Sequence, residues 1–145
     1  MVSRFVKALY EEQGFFSPLQ VVSPQEAQQA RKELECAEEI LGPLHYQDKI
    51  HTVLTSAWKL ATHPTLLDAV EKVLGSDVLL YNVTYIVKEP GSLAHVAWHQ
   101  DLTYWGLSSD AQVSAWLALS PATQDSGCMT MVPGSHHQGK VEHQL

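Results

Sequence analysis

The chain has 145 residues, 45% of them hydrophobic, which is enough for one domain with a real core. Its formal charge of -7 and sequence pI near 5.5 argue against nucleic acid or an anionic membrane as partner, because no basic stripe is present to meet phosphate. Cys36 and Cys128 lie far apart with no paired-cysteine motif, which argues against a disulfide framework or a zinc knuckle and makes a reducing cytoplasm the expected compartment.

Lys7, Glu11 and Glu12 interrupt the N-terminal segment, so neither a signal peptide nor a spanning helix is expected there. The first half reads as helical. Ser23-Pro24-Gln25-Glu26 is a capping box with proline at the first helical position. Ala27, Ala30, Leu34, Ala37 and Leu41 then repeat at three and four until Gly42-Pro43 stops the run. Glu33, Glu35, Glu38 and Glu39 crowd the same helix and read as its solvated face. A second helix is expected through Ile50, Val53, Leu54, Ala57 and Leu60. A third opens at Pro64, carries Leu67, Val70, Val73 and Leu74, and ends at Gly75. These stripes are core, and His45, His51 and His63 fall in helical or capping contexts with no metal-like spacing.

From Val78 the period changes to two. Leu79, Tyr81, Val83, Tyr85 and Val87 form an apolar face; Leu80, Asn82, Thr84, Ile86 and Lys88 form a mixed one that meets solvent or lines a polar interior. Lys88-Glu89-Pro90-Gly91-Ser92 is a turn, and Val113 to Leu119 is an apolar strand.

Between them stands Trp98-His99-Gln100-Asp101, with Tyr104-Trp105 close behind. If the segment is extended, residues two apart share a face, so His99 and Asp101 project together while Gln100 points away. An imidazole nitrogen and a carboxylate oxygen at that spacing suit divalent iron, whose open-site form uses two histidines and one carboxylate. The tripeptide alone is a weak signal, and a histidine paired with an aspartate for structural reasons is the plain alternative. His95, four residues earlier, is too remote to converge on the same ion and reads as pocket-lining at most.

Downstream come Asp125-Ser126-Gly127-Cys128 and Val132-Pro133-Gly134-Ser135-His136. In that order and spacing these segments resemble the phytanoyl-CoA dioxygenase family of iron(II)- and 2-oxoglutarate-dependent oxygenases, over about Tyr10 to His136. The resemblance implies a double-stranded β-helix of the jelly-roll, cupin-like kind, α+β to mainly β, with helices over about residues 1–75 buttressing strands over about 78–145 in a single domain. It implies Fe(II), 2-oxoglutarate and dioxygen as cofactor and cosubstrates, with His99 and Asp101 as metal ligands. Trp116 is implied as a contact of 2-oxoglutarate, a core tryptophan being the alternative, and Asn82 and Thr84 become hydrogen-bonding candidates in the cosubstrate pocket. A carboxylate at position 101, where halogenating relatives carry glycine or alanine, points to hydroxylation of a small organic substrate, or to a desaturation or cyclisation by the same oxidant.

Two features depart from the family pattern. The distal histidine that completes the triad is not reached before Leu145, and no arginine follows Arg31 to clamp the far carboxylate of 2-oxoglutarate. The chain therefore reads as the N-terminal part of such an enzyme, or a truncated relative that has lost the chemistry, with an incomplete β-helix, and is expected to bind iron weakly and to turn over no 2-oxoglutarate on its own. Of the later histidines, His136 reads as a surface or turn-capping residue, and His137 and His143 lie in a polar tail. Two alternatives stay open: a cupin-like metal-binding module using His136, against which no His-x-His pair opens the motif, and a non-catalytic interaction domain derived by truncation.

Overall fold

The computed structural model describes residues 2–143, with side chains from residue 5 onward. It contains α1 (Val2–Gln13), α2 (Pro24–Leu41), α3 (Thr55–Ala61), α4 (Pro64–Leu74) and the short α5 (Leu102–Trp105), plus 3-10 turns at Ile50–Thr52 and Ser135–Gln138. Among the described residues no helix is long and apolar enough to cross a membrane.

The helix starts follow the local chemistry. The Glu26 amide donates to Ser23 Oγ at 3.2 Å while the Ser23 amide donates to the Glu26 carboxylate at 2.7 Å, so two otherwise orphaned amides are satisfied reciprocally. At α4 the His63 ring accepts from the Thr65 amide at 3.3 Å ahead of Pro64. Gly42 and Gly75 close α2 and α4, each returning its amide to the carbonyl four residues back.

The expected single helix from Ile50 to Leu60 is broken into the 3-10 turn and α3. Lys49 adopts a left-handed conformation (φ 56°), its amide donates to Asn82 Oδ1 at 2.6 Å, and the Ile50 amide donates to the Val83 carbonyl at 3.1 Å. These bonds satisfy amides at the 3-10 turn's entrance, and the chain leaves helical geometry at Leu54 (φ -110°, ψ 117°), so regular helix begins only at Thr55. The apolar register survives: Ile50 and Ala57 are buried with Leu34, Leu44 and Tyr85, and Val83, Leu54, Ala37 and Leu119 pack around them.

The period of two holds where the extended chain meets this core. Tyr85 is buried, and Val83 packs against the cluster, whereas Leu79 at the start of the segment is 86% exposed. His45 and Tyr85 form a parallel β-bridge; the Tyr46 amide donates to the Tyr85 carbonyl at 3.0 Å, and the Val87 amide donates to His45 Nδ1 at 2.9 Å. Among the described residues this is the one β pairing. The extended segments beyond it leave Leu93, Val96, Trp98, Met129 and Val132 half or more exposed.

The Pro-Gly-Ser-His turn returns to the first helix. Gly134 donates its amide to the Gln13 carbonyl at 2.8 Å, and His136 Nε2 lies 3.0 Å from the Glu11 carbonyl, so that nitrogen carries the proton and donates. Two carbonyls at the α1 C-terminus are thereby satisfied from a segment over a hundred residues away. Gly14 (φ 83°) lets the ring approach: a Cβ there would sit 2.5 Å from His136 Nδ1.

Ser23→Ala is expected to lower stability by about 1 kcal/mol in urea unfolding at neutral pH. Hydrogen bonds from the Ser23 side chain, then its backbone, hold the Glu26 carboxyl below its ordinary 4.5. A carboxylate depressed in the folded state stabilises above its unfolded pKa, and that contribution disappears as pH falls through the folded value. The difference between Ser23→Ala and the unaltered chain is therefore expected to narrow on acidification below about pH 4. Gly14→Ala meets both the positive φ and the imidazole, and is expected to cost more than about 1 kcal/mol. The same substitution in a His136→Ala background is expected to cost measurably less.

Candidate metal centre

His99 ends an exposed extended run, and Asp101 (φ -53°, ψ -47°) opens α5. The Thr103 and Tyr104 amides donate to the Gln100 and Asp101 carbonyls at 3.1 and 3.0 Å, so a tight turn, rather than strand alternation, brings the two side chains together. His99 Nε2 lies 3.0 Å from Asp101 Oδ1, and His99 Nδ1 lies 2.8 Å from the Ala97 carbonyl. A carbonyl only accepts, so Nδ1 carries a hydrogen, and Nε2 is the ring atom that faces the carboxylate. Two such atoms facing each other require a positive centre between them, either a proton or a metal ion.

The separation is that of a hydrogen bond through a shared proton and is also compatible with a metal ion. Two ligand bonds of about 2.1 Å meeting at a right angle put their donor atoms about 3.0 Å apart, the separation found here. The hydrogen bond from Nδ1 to a backbone carbonyl is the usual support of a metal-bound imidazole. The other carboxylate oxygen, Asp101 Oδ2, accepts from the Ser114 hydroxyl, and Ser114 Oγ in turn accepts from Gln112 Nε2 at 2.8 Å. Both side chains remain a little over one-third exposed, 36% for His99 and 37% for Asp101, which leaves room for further ligands.

Gln100 points the other way, as the sequence suggests. Its Nε2 donates to the Gly139 carbonyl at 2.8 Å, its Oε1 accepts from the Val141 amide at 2.9 Å, and its own amide donates to His143 Nε2 at 3.0 Å. His143 Nδ1 lies 2.8 Å from the Tyr104 hydroxyl, and the Tyr104 ring meets His99 edge-on with centroids 6.1 Å apart. Trp98 and Tyr104 are exposed, whereas Trp105 packs on Tyr81 at 5.0 Å.

The other candidates are placed differently. Asn82 engages the 48–49 turn, donating to Asp48 Oδ1 at 2.7 Å and accepting from Lys49, and Thr84 is partly buried in the same segment. Trp116, two residues past Ser114, is 46% exposed. Lys88 donates to the Gly127 carbonyl and pins that turn. His136 is turned to the end of α1, which answers to its capping reading and not to a cupin ligand. Among the described residues no three His, Cys, Asp or Glu side chains gather into a metal-sized group. The sequence reading missed Ser114 and His143 as partners of the motif, and Tyr10 of α1, whose phenol is pushed up by burial and then by the negative charge of Asp101. Only Ser114 carried a local signal, its place two residues before Trp116.

Comparison with known proteins agrees with this arrangement of motifs. The family model for phytanoyl-CoA dioxygenase (PhyH) matches residues 10–145. L-proline trans-4-hydroxylase of Streptomyces griseoviridis is 31% identical over 88 residues, covering 58% of this chain and 33% of the relative. The 1-deoxypentalenic acid 11-beta-hydroxylase of Streptomyces arenae is 35% identical over 94 residues, covering 59% of this chain and 32% of the relative. Human peroxisomal phytanoyl-CoA dioxygenase is 28% identical over 156 aligned residues, covering 90% of this chain and 46% of the relative. The matches thus span between about a third and a half of the length of these relatives. No solved structure matches the chain.

Proposed function

The chain belongs to the phytanoyl-CoA dioxygenase family, and from that premise we propose that His99 and Asp101 hold iron(II) for the 2-oxoglutarate-dependent hydroxylation of a small organic substrate. The observation that carries this reading is the 3.0 Å approach of His99 Nε2 to Asp101 Oδ1 while Nδ1 donates to Ala97. When bound, the ferrous ion with 2-oxoglutarate and dioxygen supplies a hydroxylating oxidant. His99 offers a neutral nitrogen donor in a fixed tautomer. Asp101 offsets one unit of the metal's charge, and the Ser114 hydroxyl holds its second oxygen so that the first stays aimed at the ion.

Around this pair we assign Trp116 and Thr84 to the cosubstrate pocket, and Asn82 to shaping it through the 48–49 turn that it ties down. Exposed Trp98 and Tyr104 offer an apolar mouth to the substrate. The relatives' names give an amino acid, a deoxypentalenic acid and an acyl-CoA thioester, so the substrate class stays at small organic molecules. The proposed fold is the double-stranded β-helix. Its support is the period of two over Val83 to Val87 and the exposed apolar chain beyond, which strand pairing would cover. Among the described residues, His99 and Asp101 are the two protein ligands on which this reading rests.

An anaerobic titration of iron(II) with 2-oxoglutarate is expected to give the weak visible charge-transfer band of bidentate chelation, absent in His99→Ala and Asp101→Ala. Metal binding without the band would favour the cupin-like module, and no binding would favour the interaction domain; either overturns the oxygenase reading. Ser114→Ala is expected to weaken iron binding about tenfold with the fold unchanged by circular dichroism, since outer partners of metal ligands typically act on that scale.

A further inference from the structure

The residue between the two metal ligands is the most heavily tied group in the motif. Beyond its carbonyl, which accepts from Thr103, Gln100 makes three hydrogen bonds to the segment 139–143: its amide nitrogen to Gly139, its amide oxygen to Val141, and its backbone N–H to His143. The two side-chain bonds imitate the donor and acceptor of a paired strand. The third fixes the state of His143, because an Nε2 that accepts from a backbone N–H carries no hydrogen. Nδ1 therefore carries it and donates to the Tyr104 hydroxyl oxygen at 2.8 Å. Tyr104 closes the circuit from the other side, for its amide donates to the Asp101 carbonyl at 3.0 Å and its ring lies edge-on to His99. One imidazole thus bridges the backbone just before Asp101 and the side chain one helical turn after it.

We propose that His143 is a positioning residue for the metal pair: by joining the Gln100 backbone amide to the Tyr104 hydroxyl, it fixes the turn that sets the separation of His99 Nε2 and Asp101 Oδ1. The proposal rests on the metal-binding reading given above. His143 touches neither ligand, and both its ring nitrogens are engaged, so it acts through the turn and not as a third ligand in this arrangement. Without it, the peptide between His99 and Asp101 loses its one backbone anchor to the 139–143 segment, and the two donor atoms no longer hold one edge of a coordination sphere. The conservative replacement is informative, because a glutamine carbonyl placed near the former Nε2 still accepts from the Gln100 amide, whereas alanine offers nothing.

The test uses Co(II) as probe, since its visible absorption reports ligand arrangement as well as occupancy. In the full chain, His143→Ala is expected to weaken Co(II) binding about tenfold, the lower end of the range for partners of metal ligands, and to alter the visible band. His143→Gln is expected to restore most of the affinity, and Tyr104→Phe to shift the band in the same sense but less. Far-UV circular dichroism verifies that each variant is folded, and should His143→Ala not fold, the other two variants decide the question. No Co(II) binding by the unaltered chain would defeat the metal reading itself. Normal binding there, with affinity and spectrum unchanged in the folded His143 and Tyr104 variants, would overturn the role of His143 and leave the metal pair standing.

Discussion

The hydrogen bond from His99 Nδ1 to the Ala97 carbonyl decides what the site can do. A backbone carbonyl has no hydrogen to offer, so the ring must place its own there and turn Nε2 toward Asp101. That nitrogen then faces a carboxylate oxygen 3.0 Å away, an arrangement that a cation stabilises and that two bare acceptors do not. Ser114 performs the matching service for Asp101 by engaging the oxygen that faces away from His99. Each ligand thus has one atom tied to the protein and one turned toward the shared position, which is how outer contacts set the aim of metal ligands generally.

The rest of the molecule supplies anchors for that turn. The helical half makes a small core from Leu34, Leu44, Ile50, Ala57 and Tyr85, and the β-bridge at Tyr85 ties the first extended segment to it. Farther along, the Pro-Gly-Ser-His turn grips the carbonyl end of α1, and the next residues return to Gln100 and Tyr104. Residues 136–143 are therefore bound at both ends of that stretch, once to the first helix and once to the His99–Asp101 motif. Much of the intervening extended chain keeps its apolar side chains in solvent, so these few polar contacts hold the motif in place with little help from burial.

What the sequence disclosed was mostly what physics decides over a few residues. The capping box at Ser23 and the proline starts and glycine stops of α2 and α4 all follow from contacts three or four positions apart. Tertiary partners overrode local preference elsewhere. The helix through Ile50 split at Leu54, which is extended, and Asn82, 33 residues from Lys49, became a tie for the 48–49 turn. Asp101 adopted helical angles, so His99 and Asp101 meet through a turn although strand spacing was the reason for pairing them. His143 and Ser114 lie 43 and 13 residues from their partners in the motif, and no periodicity connects them. His136 was legible as a cap by its place after Pro-Gly, yet the helix it caps, 125 residues away, was not.

The central claim is that one metal ion sits on the edge defined by His99 Nε2 and Asp101 Oδ1. Anomalous diffraction at the iron edge, from crystals grown anaerobically with iron(II), tests it most directly. The account predicts a peak about 2.1 Å from both atoms, with His99 Nδ1 still on the Ala97 carbonyl. A peak elsewhere, or His99 and Asp101 joined directly through a proton with no peak between them, would contradict it.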